Sequence, residues 1–150
     1  MNDDEAWAVL ATAHTGILTS LRRDGQPIAL PVWFAALDRR IYVAGQAHTK
    51  KYQRIARDPR VSFLVETGDR WIDFVGVHLT GRAYALEPGA KLERATAAIQ
   101  EKYAPYRSDH SMMPDATRAY YETRTVTIEI VPDDRILTWR NAQVFDTHSP

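Results

Sequence analysis

The chain has no cysteine. That excludes a disulfide framework, a thiolate nucleophile and thiolate metal sites. Neither charge is in excess: 19 acidic and 19 basic side chains give a formal net charge of zero. No bulk electrostatic term therefore draws the chain to nucleic acid or to an anionic membrane, and an oligonucleotide-binding barrel would need a continuous basic stripe. Long apolar runs are missing too; none approaches the roughly 20 residues that span a bilayer. The N-terminus, Met-Asn-Asp-Asp-Glu, is acidic and polar, unlike a secretory signal. These absences lead us to expect a cytoplasmic protein. A length of 150 residues with 45% hydrophobic content suits one domain spanning 1–150 around one core.

What is present alternates with the period of strands more often than with that of helices. Residues 3–13 read as a first helix with Asp3 as its cap and Trp7, Leu10 and Ala11 on the packed face. Ile17–Arg22 and Pro27–Ala36 read as a hairpin about Arg-Asp-Gly-Gln. In its second strand Ile28, Leu30, Val32 and Phe34 point one way, Ala29, Pro31 and Trp33 the other. Pro31 cannot donate to a ladder and so marks an edge or a bulge. Val61–Glu66 is a further strand, and Trp71–Leu86 a long bent one with Gly76 and Gly81 as bend points. His78, on the face opposite Val77 and Leu79, is expected to be a surface or hydrogen-bonded residue. A helix starts at Glu87-Pro88 and runs to about Lys102 on the stripe Leu92, Ala95, Ile99, Tyr103. Residues 104–114 read as a loop, where Asp109 and His110 are adjacent but nothing completes a metal set or a triad. A helical turn over Asp115–Tyr121, strands Thr123–Val131 and Arg135–Arg140, and a loosely held tail after Gln143 finish the chain.

The most informative stretch is Ile41–Val61. It opens as a strand at Ile41–Val43, breaks at Gly45, and enters a short helix capped by Thr49 with Tyr52, Ile55 and Ala56 on its apolar face. Asp58-Pro59 ends that helix. Strand, turn, then a helix opening on a hydroxyl and two ammonium groups is a natural anion site, because N-terminal N–H groups and the dipole add to Lys50 and Lys51.

Thr49-Lys50-Lys51, followed eight residues after Lys51 by Pro59, resembles the phosphate-binding segment of the pyridoxamine 5'-phosphate oxidase-like, split-barrel flavoproteins. The run Gly16-Ile-Leu-Thr-Ser-Leu-Arg-Arg-Asp-Gly-Gln-Pro-Ile-Ala-Leu-Pro-Val-Trp-Phe34 is similar to that family's first hairpin, and Leu79-Thr-Gly-Arg-Ala-Tyr84 to its later glycine-containing strand. The resemblance implies a split β-barrel, mainly β with short helices, of six or seven mostly antiparallel strands. It implies a homodimer with cofactor at the interface. Thr49, Lys50 and Lys51 would take the phosphate, and Pro31, Val32, Trp33 and Phe34 the ring.

Departures from the family pattern narrow the function. True pyridoxamine phosphate oxidases carry an arginine and a lysine where this chain has Leu30 and Ala35, and their C-terminal arginine-histidine motif is replaced here by Arg140-Asn141. Vitamin B6 oxidation is therefore not expected. The expected activity is hydride transfer between bound FMN or coenzyme F420 and a small conjugated or aromatic molecule. The Ala/Arg-rich character and compact hairpin lean toward F420. The alternative is a non-catalytic dimer that carries or senses flavin, deazaflavin or haem. No constellation specifies a general acid.

Overall fold

The computed structural model describes residues 1–121 and 124–146. Its core is one seven-stranded sheet, every neighbouring pair antiparallel, in the order β2-β1-β5-β6-β7-β4-β3. The strands are β1 (Gly16–Leu21), β2 (Pro27–Val32), β3 (Ala35–Leu37), β4 (Arg40–Gln46), β5 (Arg60–Thr67), β6 (Val75–Ala85) and β7 (Thr125–Arg140). The helices are α1 (Asp3–Thr12), α2 (Lys50–Arg57), α3 (Ala90–Tyr103), α4 (Asp115–Tyr121) and α5 (Asn141–Asp146). Curling this sheet about its apolar face gives the split-barrel, mainly β architecture with short helices.

The inner face alternates as the sequence pattern requires: Leu18, Val61, Phe63, Val65, Val77, Leu79, Ile128 and Ile130 are all buried. Each such side chain contributes about 1.5–3 kcal/mol of hydrophobic stabilisation relative to exposure. Two helices close this core, α1 with Ala6 and Leu10 and α2 with Tyr52 and Ile55. Ala11 and Ala56, expected on the packed faces, are exposed, while Trp7 is half-buried against the core. The cap of α1 is Asn2 rather than Asp3. Its side chain accepts from Glu5 N at 2.9 Å and the Glu5 carboxylate accepts from Asn2 N at 2.8 Å, so two orphan N–H groups are satisfied at once.

The third helix packs on the opposite side, where Ala95, Ile99 and Tyr103 meet Ala35 and Tyr42 on the outer face of β3 and β4. Tyr42 donates to Glu129 at 2.8 Å, and Lys91 of α3 approaches the same carboxylate at 3.2 Å. Burial first, then the bond to Glu129, pushes the Tyr42 phenol up to about 12. The helix begins at Ala90, not at Glu87-Pro88, because Leu86 N is still tied to Thr127 O and Gly89, at φ 153°, forms the cap.

Several expected boundaries move for identifiable reasons. Pro27–Ala36 is two strands, since Trp33 and Phe34 leave the ladder before β3. Asp38 and Arg39, at φ 49° and 57°, make the two-residue turn into β4, the primed geometry that matches strand twist. Gly45 does not break β4; it pairs with Val126, and a Cβ there would run into the Tyr52 ring. Trp71–Asp73 is a 3-10 turn rather than strand, held by Asn141 Nδ2 donating to Trp71 O at 2.6 Å. The two final strands are one: Leu79 pairs with Ile136 and Gly81 with Pro132, so Asp133–Arg135 bulge out instead of turning. Thr80 Oγ1 donates to Asp133 at 2.6 Å across the bulge, and Gly81 leaves room for the Val131 carbonyl. Gly76 lies under the Trp139 indole with the register unbroken, so the bend belongs to Gly81 alone. The expected strand start at Thr123 and the end of the tail, 147–150, lie outside the described residues; β7 is described from Thr125, and α5 occupies the tail's first part.

Candidate functional site

The two segments singled out by sequence sit at opposite ends of β1. At the hairpin end, α2 begins at Lys50 and packs against β1. Thr49 stands at the cap position, but its hydroxyl makes no cap bond; it donates instead to Gln46 O at 3.0 Å. The first N–H groups of α2 thus lack the side-chain oxygen expected to occupy them. Lys50 is exposed and Lys51 half-buried, its ammonium 5.0 Å from the Tyr52 ring centre. Burial, and secondarily Arg54, lowers the Lys51 pKa from its ordinary value.

Around Lys50 the structure gathers more cations than the sequence pattern names. A cleft of about 300 Å³ is lined by Arg22, Arg23, Lys50, Gln53, Arg54 and Arg57, with no acidic side chain among them. Arg54 Nε donates to the buried Ser20 hydroxyl at 3.0 Å and Arg57 to Leu21 O at 3.0 Å, which pins both guanidinium groups to the end of β1. In a chain of zero net charge this is a strong local concentration of one sign. Arg54 and Arg57 are absent from the expected set, although their spacing from Lys50, i+4 and i+7, places all three on one helix face.

At the other end, β2 is an edge strand, and Pro31 pairs with Ile17. A proline is tolerated there with its nitrogen on the open side. Val32 is buried and Phe34 is fully enclosed against Phe63, while Trp33 stays 38% exposed. Leu30 shares the face of Val32, opposite the buried Leu18, but stays exposed because β2 is the sheet edge. The break in the strand is secured by Tyr103, at the end of α3. Its hydroxyl accepts from Phe34 N at 2.9 Å and donates to His14 O at 2.7 Å, with Phe34 O also within 3.0 Å. Trp33 lies flat on the Tyr103 ring, 4.3 Å between centres and 2° between planes. His14 meets Trp33, Tyr103 and Tyr106 edge-on at 6.0, 5.6 and 4.5 Å. Beneath them the Lys102 ammonium is 3.9 Å from the Phe34 ring centre, shut off from solvent without a hydrogen bond; burial brings its pKa down to about 8. His14 and Lys102 could not be placed from sequence spacing, because only the long-range fold brings them to Trp33 and Phe34.

The distance between the two ends follows from the strand: Ile17 to Leu21 is ~13 Å at ~3.3 Å per residue. The outer face of β2, β1, β5, β6 and β7 carries a paired row, Pro31, Ile17, Leu64, His78 and Leu137. Leu137 and Trp139 are exposed on it, and clefts of about 400 and 340 Å³ open beside them. Two roomier clefts, about 500 and 590 Å³, lie elsewhere, between α2 and β6–β7 and under α3, and include none of Pro31–Phe34 or Thr49–Lys51. A phosphate needs charge convergence rather than volume, and these linings are mostly apolar, with Arg107 and Arg124 as their cations. Among the described residues no cluster of three or more His, Asp or Glu could hold a metal, and no helix is long and apolar enough to cross a membrane.

Comparison with known proteins agrees with this fold. The family model described as pyridoxamine 5'-phosphate oxidase matches residues 3–132. Among solved structures, the conserved hypothetical protein Rv2991 of Mycobacterium tuberculosis is 28% identical, with a TM-score of 0.79 over 97% of this chain and 88% of that one. A FAD-binding protein of Mesorhizobium loti is similar at 22% identity and TM-score 0.68, covering 92% and 94% of the two chains. The haem storage protein HutZ of Vibrio cholerae shares the fold at 11% identity and TM-score 0.68, covering 90% and 92%. With the match running through the curled sheet, the helix that begins at Lys50 and the broken edge strand at Pro31–Phe34, the chain belongs to the pyridoxamine 5'-phosphate oxidase-like family.

Proposed function

We propose that the chain is an oxidoreductase that moves hydride between a bound phosphorylated flavin or deazaflavin, FMN or coenzyme F420, and a small conjugated or aromatic molecule. One observation carries the reading. A cation cluster and an open-edged aromatic kink lie at the two ends of a single strand, separated by about the reach of a phosphorylated side chain and ring. Lys50, Lys51 and the first N–H groups of α2 would hold the phosphate, with Arg54 and Arg57 adding charge; Thr49, whose hydroxyl and N–H both donate to Gln46 O, would turn outward to join them only by giving up those bonds. Pro31, Val32, Trp33 and Phe34 would shape the ring site, where the free edge of β2 offers carbonyl acceptors. The bound group supplies the hydride chemistry, and the protein orients it and keeps water away. Both cofactors present a phosphate and a flat tricyclic ring to these residues; the preference for F420 rests on the chain's Ala/Arg-rich character and compact hairpin.

Vitamin B6 oxidation does not suit the site. Ala35, where the true oxidases carry a lysine, is packed under α3 against Tyr42 and Ala95, and Leu30 stands uncharged at the surface. The bare outer row through Ile17, Leu64 and Leu137 suits a homodimer with the cofactor at its interface. The test is the absorption spectrum and native mass of purified protein after incubation with each cofactor, then stopped-flow reoxidation of the reduced, bound cofactor by enone and quinone acceptors. We expect a dimer with acceptor-dependent reoxidation. Binding without acceptor-dependent reoxidation makes the protein a carrier instead, and a monomer that binds cofactor contradicts the interface site.

A further inference from the structure

The aromatic end of β1 holds one group that the cofactor reading leaves unused. His14 lies in the turn between α1 and β1, with its side chain exposed. Its backbone is fastened by the Tyr103 hydroxyl, and its imidazole touches three rings edge-on. Among the described residues neither imidazole nitrogen has a hydrogen-bond partner. The ring is thus held in place by contacts that leave both nitrogens available for proton transfer. The other titratable groups of this wall are Tyr103 and Tyr106 in ring contact with it, and Lys102, 5.4 Å from the Tyr103 ring centre. No carboxylate pairs with His14 among the described residues. Trp33 has one face covered by Tyr103, so a flat guest has only the opposite face and the edge beside His14 to lie against.

We infer that His14 is the proton donor of this site, and that Trp33 and Tyr106 form the wall against which a flat, conjugated carbonyl acceptor is seated. The inference rests on the oxidoreductase reading. With a reduced flavin or deazaflavin as hydride donor, hydride adds to the β-carbon of an enone and the C=C electron pair moves onto the carbonyl. The enolate then takes the imidazolium proton at its α-carbon. The product is the saturated ketone, the cofactor is left oxidised by two electrons, and the exposed imidazole regains its proton from water.

The experiment compares wild type with His14→Gln and His14→Phe, the second keeping ring contacts without a proton to give. Both should fold, as circular dichroism will register, and both should bind cofactor within about twofold of wild type. Reduction of a cyclic enone by the pre-reduced protein should fall in kcat by about 100-fold or more, with KM little changed, the usual scale for losing a general acid. In cofactor-free protein, menadione should quench the part of the indole emission that Trp33→Ala removes. Wild-type turnover in His14→Gln overturns the inference while leaving the oxidoreductase reading intact. A wild type that binds neither cofactor overturns both.

Discussion

The two ends of β1 solve the problem of holding a ligand in different ways. The hairpin end is cationic and exposed, and it is assembled from residues close in sequence to Lys50 together with the adjoining turn at Arg22 and Arg23. The kink end has an aromatic wall, with one buried ammonium, and is fastened by a single hydroxyl that joins α3 to residues 69 and 89 positions away. Charge that remains hydrated can be concentrated locally at little cost to folding. A broken edge strand cannot, because each backbone group that leaves the ladder needs another partner. Binding strength should therefore reside mainly at the first end and positional precision at the second.

The largest expected effect breaks the first end. Replacing Lys50 and Lys51 together by alanine should weaken FMN or F420 binding at least tenfold, with the melting temperature of the cofactor-free protein nearly unchanged. Fluorescence titration beside a thermal melt measures both; unaltered affinity would make the two lysines ordinary surface charges. The loss should shrink as salt rises, since exposed charges are screened over about 10 Å at 0.1 M ionic strength.

Breaking the second end should do the reverse. Tyr103→Phe leaves the Phe34 N–H without its hydroxyl acceptor inside the core, which costs about 1–3 kcal/mol. Urea denaturation should show that loss, Trp33 emission should shift red as the stacked ring loosens, and phosphate affinity should hold. A stable variant with unchanged emission would mean that the kink is set by something other than Tyr103.

A smaller effect sharpens the comparison through pH. Folding lowers the Lys102 pKa from 10.5 to about 8, so between those values the unfolded chain binds more protons than the folded one. Stability should therefore rise with pH across that window, and below it the buried ammonium is a standing cost. Lys102→Met should flatten the rise and increase the urea midpoint at pH 7. No change at pH 7 would show that the Phe34 ring compensates the ammonium fully.

Much of this fold is legible in sequence wherever periodicity is local. Val61, Phe63 and Val65 alternate into the core as written, and the Ala95, Ile99, Tyr103 stripe packs as its spacing requires. The errors fall where a long-range partner overrides the local signal. Pro-Asp-Asp reads as a turn, yet β6 pairs with β7 on both sides of those residues and holds it together through a bulge. Gly45 reads as a breaker because the Tyr52 ring that needs its missing Cβ is invisible in the strand itself. The same division holds for the site. Lys50 and Lys51 announce themselves by standing at a helix start, and Arg54 and Arg57 could have been added from helical spacing. His14 and Lys102 depend on the docking of α3, and no local pattern reports it.

The central claim is that one ligand bridges both ends of β1, phosphate on the cations and ring at the kink. Titrating the protein with FMN against riboflavin, and with F420 against its phosphate-free deazaflavin core, removes the phosphate and keeps the ring. The account predicts that at least one phosphorylated form binds tenfold or more tightly than its phosphate-free partner, that Lys50→Ala/Lys51→Ala abolishes this difference, and that Trp33 emission responds in every case where the ring binds. Equal affinity with and without phosphate, or binding that never reaches Trp33, would contradict it.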